Sequence, residues 1–337
     1  MNHRGLTIIA LKVFLGLAPL LVPLIAYVIY DPFGVVHHYD RKNHDPKIVY
    51  NRDYISTETF LANYKKENYD SFILGNSRTL AFQSRDWKQY IEAKDVFHFD
   101  ASKESLYGIY KKIMFLDREG VKLKNCLMIL DEDTIQKCDN IEGHLCIKHP
   151  KVSQESTQAF QMEFLRAFIT PRFLIGYVDY KIHHRVRSAF SDPFLQSEIQ
   201  YDPITNDVFL VALEDEIQRT GSRYYESRKN VFYNRDHKEI KYTKTYIKSV
   251  QKKYFEDIKR IFEKYKTNYR IIISPAYDQK YFSRADLQYL ENLFGKKYVS
   301  DFSGVNEITD SVYNYYEILH YRPVAGRQML KKAYLQN

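Results

Sequence analysis

The sequence is poor in cysteine: three among 337 residues, with no C-x-x-C pair and no H-x-x-x-H spacing. Structural zinc sites and redox dithiols are built on such spacings, so no metal centre is expected. A concentrated basic stripe is also missing. The net charge of +8 comes from lysines and arginines interleaved with Asp, Glu and many tyrosines, which argues against a nucleic-acid-binding face. The same mild excess suits an anionic membrane or a polyanionic cell-surface polymer. No internal repeat or low-complexity tract is visible. The few cysteines still bear on compartment. Cys138 and Cys146 flank the polar stretch DNIEGHL, a loop that a disulfide could close, whereas Cys126 lies in an apolar strand as a buried thiol.

What the chain does have is a long apolar start. Leu6 to Tyr30 carries Lys12 as its only charge, and Val13 to Tyr30 carries none. Such a run can span a hydrocarbon core of about 30 Å. Arg4 and Lys12 precede it, so the positive-inside rule puts the N-terminus in the cytoplasm and the bulk outside. Pro19 and Pro23 are tolerated within a span. No A-x-A-like site follows, and the expectation is an uncleaved single-pass anchor over residues 1–30.

Residues 31–64 read as a polar, aromatic connector. From 65 onward, short apolar strands alternate with amphipathic helices. Strands are expected at SFILG, VFHFDA, NCLMILDED, YRIIISPA and YVSDFSG, and helices at SLYGIYKKIMFLDREG, KYTKTYIKSVQKKYFEDIKRIFEKYK, RADLQYLENLFG and from about Ala325. Continuous apolar strands separated by such helices imply an α/β domain over 65–337, an open doubly wound, mostly parallel sheet. Active sites in this class gather at the carboxyl ends of the strands. Residues of about 135–240 break the alternation and read as an insertion that shapes the site.

Two segments carry chemistry. The first strand ends in Gly75-Asn76-Ser77-Arg78, and the C-terminal stretch YNYYEILHYRPVAG holds Glu317 three residues before His320. A carboxylate can hold one ring nitrogen of the histidine while the other faces the serine, the logic of a hydrolase triad. Each half alone is a weak signal; what matters is the pairing, with both expected at the same carboxyl edge of the sheet.

With these two blocks the chain resembles the SGNH (GDSL-like) hydrolase superfamily, whose nucleophile follows strand one in G-D-S and whose acid and base lie in D-x-x-H. SDFSG…NYYEILHYRPVAG looks especially like the membrane-anchored members that accompany teichoic-acid D-alanylation and alginate-type O-acetylation. The resemblance covers roughly residues 65–135 and 265–335. It implies a flavodoxin-like core, Ser77 as nucleophile, His320 as base and Glu317 as orienting acid, with no cofactor. Asn76 stands for the usual Asp, Glu317 for the Asp of D-x-x-H, and the glycine and G-x-N-D blocks are replaced by FDASKES and LDED. The oxyanion hole would then rest on the Ser77 N–H and a donor from the Ala101–Ser105 loop. Asn76, Arg78, Ser102, Ser105 and Asp131 are the candidates for oxyanion or substrate contacts. Arg78 either binds an anionic substrate group or covers a helix surface; Asp131 and Asp133 either line the cleft or cap a helix. The implied activity is acyl transfer, acetyl foremost, onto or off a cell-envelope polysaccharide, beside a membrane-embedded multi-span acyltransferase (MBOAT-like). Transfer and hydrolysis share the acyl-serine half-reaction and remain open at this stage. The rival from another class is a degenerate, non-catalytic scaffold that binds glycan or the membrane partner.

Overall fold

The computed structural model describes residues 12, 16, 21–37, 45, 47–191, 194, 199–235 and 240–335. The chain divides into two compact units: Met1–Tyr50 with Ser156–Ser197, and Asn51–Glu155 with Glu198–Asn337. In chain order the main elements are α1 (Arg52–Glu67), β1 (Tyr69–Leu74), β2 (Asp95–His98), α2 (Leu106–Arg118), β3 (Asn125–Leu130), α3 (Thr157–Phe168), α4 (Pro171–His183), α5 (Ser249–Tyr265), β4 (Asn268–Ile273), α6 (Arg284–Phe294), β5 (Val299–Asp301) and α7 (Pro323–Leu335). Helices α3 and α4 belong to the first unit, the rest to the second.

The larger unit is an α/β domain on a five-stranded, all-parallel sheet of order β2-β1-β3-β4-β5. Strands β1 and β3 are buried along their full length, as strands covered on both faces must be. Alternate side chains serve opposite layers. Phe72, Leu74, Cys126, Met128, Ile271 and Ile273 pack with residues of α1, α2, α5 and α6. Ile73, Leu127, Ile129 and Ile272 pack with α7 and with Trp87. The sheet order reverses between β1 and β3, and a doubly wound sheet opens a crevice at the carboxyl ends of the strands there. The turn after β1 and the residues after β3 therefore meet in one place.

Several expectations need correction. The connector expected over 31–64 ends earlier, because α1 is part of the α/β unit: Phe60 is fully buried and stacks on Phe99 at 5.5 Å. The insertion of 135–240 is not one piece. Residues 156–197 fold with the N-terminal segment, while 198–235 stay with the sheet. Helix α5 starts at Ser249, not near Lys241, because the Asp286 carboxylate accepts the N–H groups of Tyr246 and Ile247 and holds them extended. Cys126, Cys138 and Cys146 are free thiols. Hydrogen bonds close the DNIEGHL loop instead: Asn51 Nδ2 donates to His144 O and Ile147 O, and Lys148 N donates to Asn140 Oδ1. His149 caps a short helix, accepting from Lys151 N, and pairs with Glu58.

Much of the anchor expected over Leu6–Tyr30 lies outside the described residues; residues 21–30 are helical. Among the described residues no helix is long and apolar enough to cross a membrane. In this N-terminal unit, Tyr27 packs on Phe168 at 5.5 Å and Phe33 on Phe164 and Phe173 at 5.6 and 4.8 Å. Its Tyr180 hydroxyl donates to Asp45.

Candidate active site

The turn that carries Ser77 begins where β1 ends. Gly75 has φ +150°, and a Cβ there would stand 2.7 Å from Ile129 O on the neighbouring strand. Only glycine lets the chain leave β1 so close to β3. Asn76 then caps the 3-10 turn Ser77–Ala81, its Oδ1 accepting from Arg78 N. Ser77 is left half-buried at the turn's first position.

The histidine arrives on a closed loop. Tyr315 and Tyr321 form an antiparallel bridge, and Tyr316 N donates to His320 O at 2.9 Å. The five residues between these contacts cannot extend, so Glu317 and His320 face each other. The Ser77 hydroxyl donates to His320 Nε2 at 2.7 Å, and His320 Nδ1 donates to Glu317 Oε1. With Nδ1–H directed at the carboxylate, Nε2 is the ring atom turned to the serine. Burial alone would raise the Glu317 carboxyl; the ring N–H and the Leu319 N–H, at 2.8 Å, outweigh it and hold Glu317 below the ordinary glutamate range. Ser77, His320 and Glu317 are thus brought together as the sequence suggested.

The other candidates have different occupations. Both amide donors of Asn76 are engaged, with Asp131 Oδ2 at 2.5 Å and Thr134 Oγ1 at 3.1 Å, which removes it as an oxyanion donor. Arg78 pairs with Asp131 at 2.5 Å and its Nε donates to Leu319 O at 3.3 Å. It therefore ties the end of β3 to the loop that carries His320. Burial would lift the Asp131 carboxyl, but the Arg78 guanidinium and the Thr134 N–H keep it below the usual range. Asp131 also caps the short helix Glu132–Gln136. Ser105 is spent as the cap of α2, accepting from Gly108 N at 3.1 Å, and Ser102 is exposed on its turn. Ala101 N–H donates to Gly75 O. The Ser77 N–H takes no acceptor among the described residues. A cleft of about 270 Å³ opens beside these groups, lined by Arg78, Asp131, Asp133, Ser274, Lys280 and Leu319. Among the described residues no three His, Cys, Asp or Glu side chains converge as a metal-ligand set.

Two supports escaped the sequence. Glu214, from the helix Val211–Thr220, takes both Arg322 nitrogens, Nε at 3.1 Å and Nη2 at 2.6 Å, and the Tyr316 hydroxyl at 2.6 Å. It braces the His320 loop from outside. Below the Ala101–Ser105 loop, Lys112 and Lys148 are fully buried between Asp53 and Glu104. Lys112 Nζ also donates to Asp100 O at 2.9 Å, pinning the loop's start. Partners more than a hundred residues apart, like Glu214 and Arg322, leave no local signal. Buried lysines run against the usual exposure of that residue type, so nothing in the sequence marked Lys112 or Lys148.

The chain matches no protein-family model and no curated protein. The site's own geometry carries its reading.

Proposed function

We propose that this chain is an extracytoplasmic, membrane-anchored serine acyltransferase or esterase of SGNH type, acting on a cell-envelope polysaccharide. The observation that carries the proposal is the Ser77–His320–Glu317 relay, with Ser77 Oγ 2.7 Å from His320 Nε2. In the first half-reaction His320 takes the Ser77 proton as Oγ adds to an ester carbonyl, and the Ser77 N–H, donating to no described acceptor, faces the developing oxyanion. His320 then hands its proton to the leaving alkoxide, and an acyl-serine remains. In the second half, a sugar hydroxyl or water loses its proton to His320 and takes the acyl group. Glu317, held ionised, stabilises the imidazolium in both halves.

A polymeric acceptor is supported by an open groove of about 950 Å³ lined by Tyr225, Phe232, Tyr233, Tyr277 and Tyr313 with Asn234 and Asp310. Tyr233 and Tyr313 are 44% and 53% exposed, and aromatic faces beside polar groups suit a sugar's mixed faces. Tyr313 stands four residues before Glu317. The apolar segment Leu6–Tyr30 supplies the anchor in this reading, and a multi-span membrane acyltransferase supplies the acyl group from the cytoplasmic side.

The engaged amide of Asn76 and the spent Ala101 N–H favour a second reading, a non-catalytic scaffold, because an oxyanion site with one backbone donor is weak. An active-site serine probe separates the two. Covalent labelling of the wild type that disappears in Ser77→Ala supports the enzyme; no labelling leaves the scaffold.

A further inference from the structure

We propose that the helical pair α3–α4 of the N-terminal unit docks on an anionic lipid bilayer, its outer apolar stripes seated at the headgroup boundary. The inference rests on the anchor reading and extends it from a tether to a surface.

Both helices are apolar on two sides. Inward, Phe160, Phe164, Phe168, Phe173 and Tyr177 are buried, and Phe168 and Phe173 pack on Tyr27 and Phe33. Outward, Met162 and Ile169 are 46% and 48% exposed, and on α4 Ile175, Val178 and Ile182 are 55%, 49% and 66% exposed. The spacing i, i+3, i+7 places the last three on one helical face. A helix at a water boundary carries its polar residues there, and a contiguous apolar surface marks an interaction site.

Charge and continuity choose the occupant. From Thr157 to Ser191 the chain has five basic residues (Arg166, Arg172, Lys181, Arg185 and Arg187) and two acids, Glu163 and Asp179. Glu163 accepts from Arg166 Nη1 at 2.8 Å and Asp179 from Arg187 Nε at 2.7 Å. Apolar residues flanked by arginine and lysine match an anionic membrane surface, whereas two copies of such a face would repel. The same unit contains helical residues 21–30, whose Ile25, Val28 and Ile29 are 54%, 42% and 65% exposed. The apolar phase that covers them lies alongside the helical pair, because Tyr27 packs on Phe168.

Tryptophan quenching tests this on the full chain reconstituted into vesicles of phosphatidylcholine and phosphatidylglycerol, with and without acyl-brominated phosphatidylcholine. The single native tryptophan, Trp87, is fully buried and serves as the reference. In Ile175→Trp and Ile182→Trp the added emission should be roughly halved by brominated lipid, with less quenching when phosphatidylglycerol is omitted. Retention on the vesicles through alkaline carbonate reads the anchor separately. If the chain is retained but both new tryptophans keep full emission, the docking inference fails and the anchor stands. Loss of the chain from the vesicles overturns both. A bromine-independent blue shift that grows with protein concentration assigns the face to a second copy and also overturns the inference.

Discussion

In the Ser77–His320–Glu317 relay the serine hydroxyl donates to the histidine, the histidine donates its own ring N–H to the glutamate, and the ionised glutamate only accepts, so each substitution has a graded cost. In serine hydrolases built this way, losing the nucleophile or the base costs about 10⁶ in kcat and losing the acid about 10⁴. Under the proposed activity, Ser77→Ala and His320→Ala should abolish turnover of an aryl acetate. Glu317→Gln should retain a measurable remainder, since an amide can hold the ring but cannot stabilise the imidazolium. Initial rates of purified variants check this order, and equal activity in all three would leave the scaffold. Away from the relay, Asp100 is fully buried against Arg52, at 2.7 Å. Burial alone would raise its carboxyl, but Arg52, with His98, holds it below the ordinary aspartate range. A depressed carboxyl contributes stability above its unfolded value of about 3.9, and that contribution is lost as pH falls through the folded value. Asp100→Asn should therefore cost about 3–5 kcal/mol near neutrality by removing the buried charge that the Arg52 guanidinium faces. Thermal unfolding of both proteins across pH should show the gap narrowing below about pH 4.

At the scale of elements, the site depends on where backbones touch. A Cβ on Gly326 of α7 would collide with the carbonyl oxygen of Ala81, the last residue of the Ser77–Ala81 turn. That contact seats the helix following His320 directly on the turn that holds Ser77. Gly326→Ala must push the two apart, at about 1–3 kcal/mol for an overpacked contact. Lower kcat with little change in KM, together with a lower melting temperature, is the expected result. Glu214 acts from further out. Glu214→Gln weakens the bidentate hold on Arg322 and should lower kcat without unfolding the chain, measured by initial rate against circular dichroism.

At the scale of the whole molecule, the proposed function makes separate demands on groove and anchor. Tyr313→Ala removes an exposed ring from the groove without touching the relay. KM for the polymer should rise while kcat/KM for a small aryl acetate stays level. Topology is tested by fusing alkaline phosphatase, active only outside the cytoplasm, to the C-terminus; the anchor reading expects an active fusion.

Composition and period made the α/β class legible. The five apolar runs became the five strands, and GNSR and EILH were readable because each puts its reactive residues within three positions of one another. Residues 156–197 were hidden from such reading, since the aromatic partners that draw α3 and α4 to Tyr27 and Phe33 lie more than a hundred residues earlier. The same limit applied to Arg78 and Asp131. Their types suggested substrate contacts, but the reversal of strand order between β1 and β3 sets them side by side, and they neutralise each other. The sequence by itself determined the period of each element, the glycine at the end of β1 and the local pairing of Glu317 with His320. Only the tertiary structure decided that Ser77, 243 positions from His320, is its hydrogen-bond partner, because a parallel sheet returns every strand's carboxyl end to one edge whatever the distance along the chain.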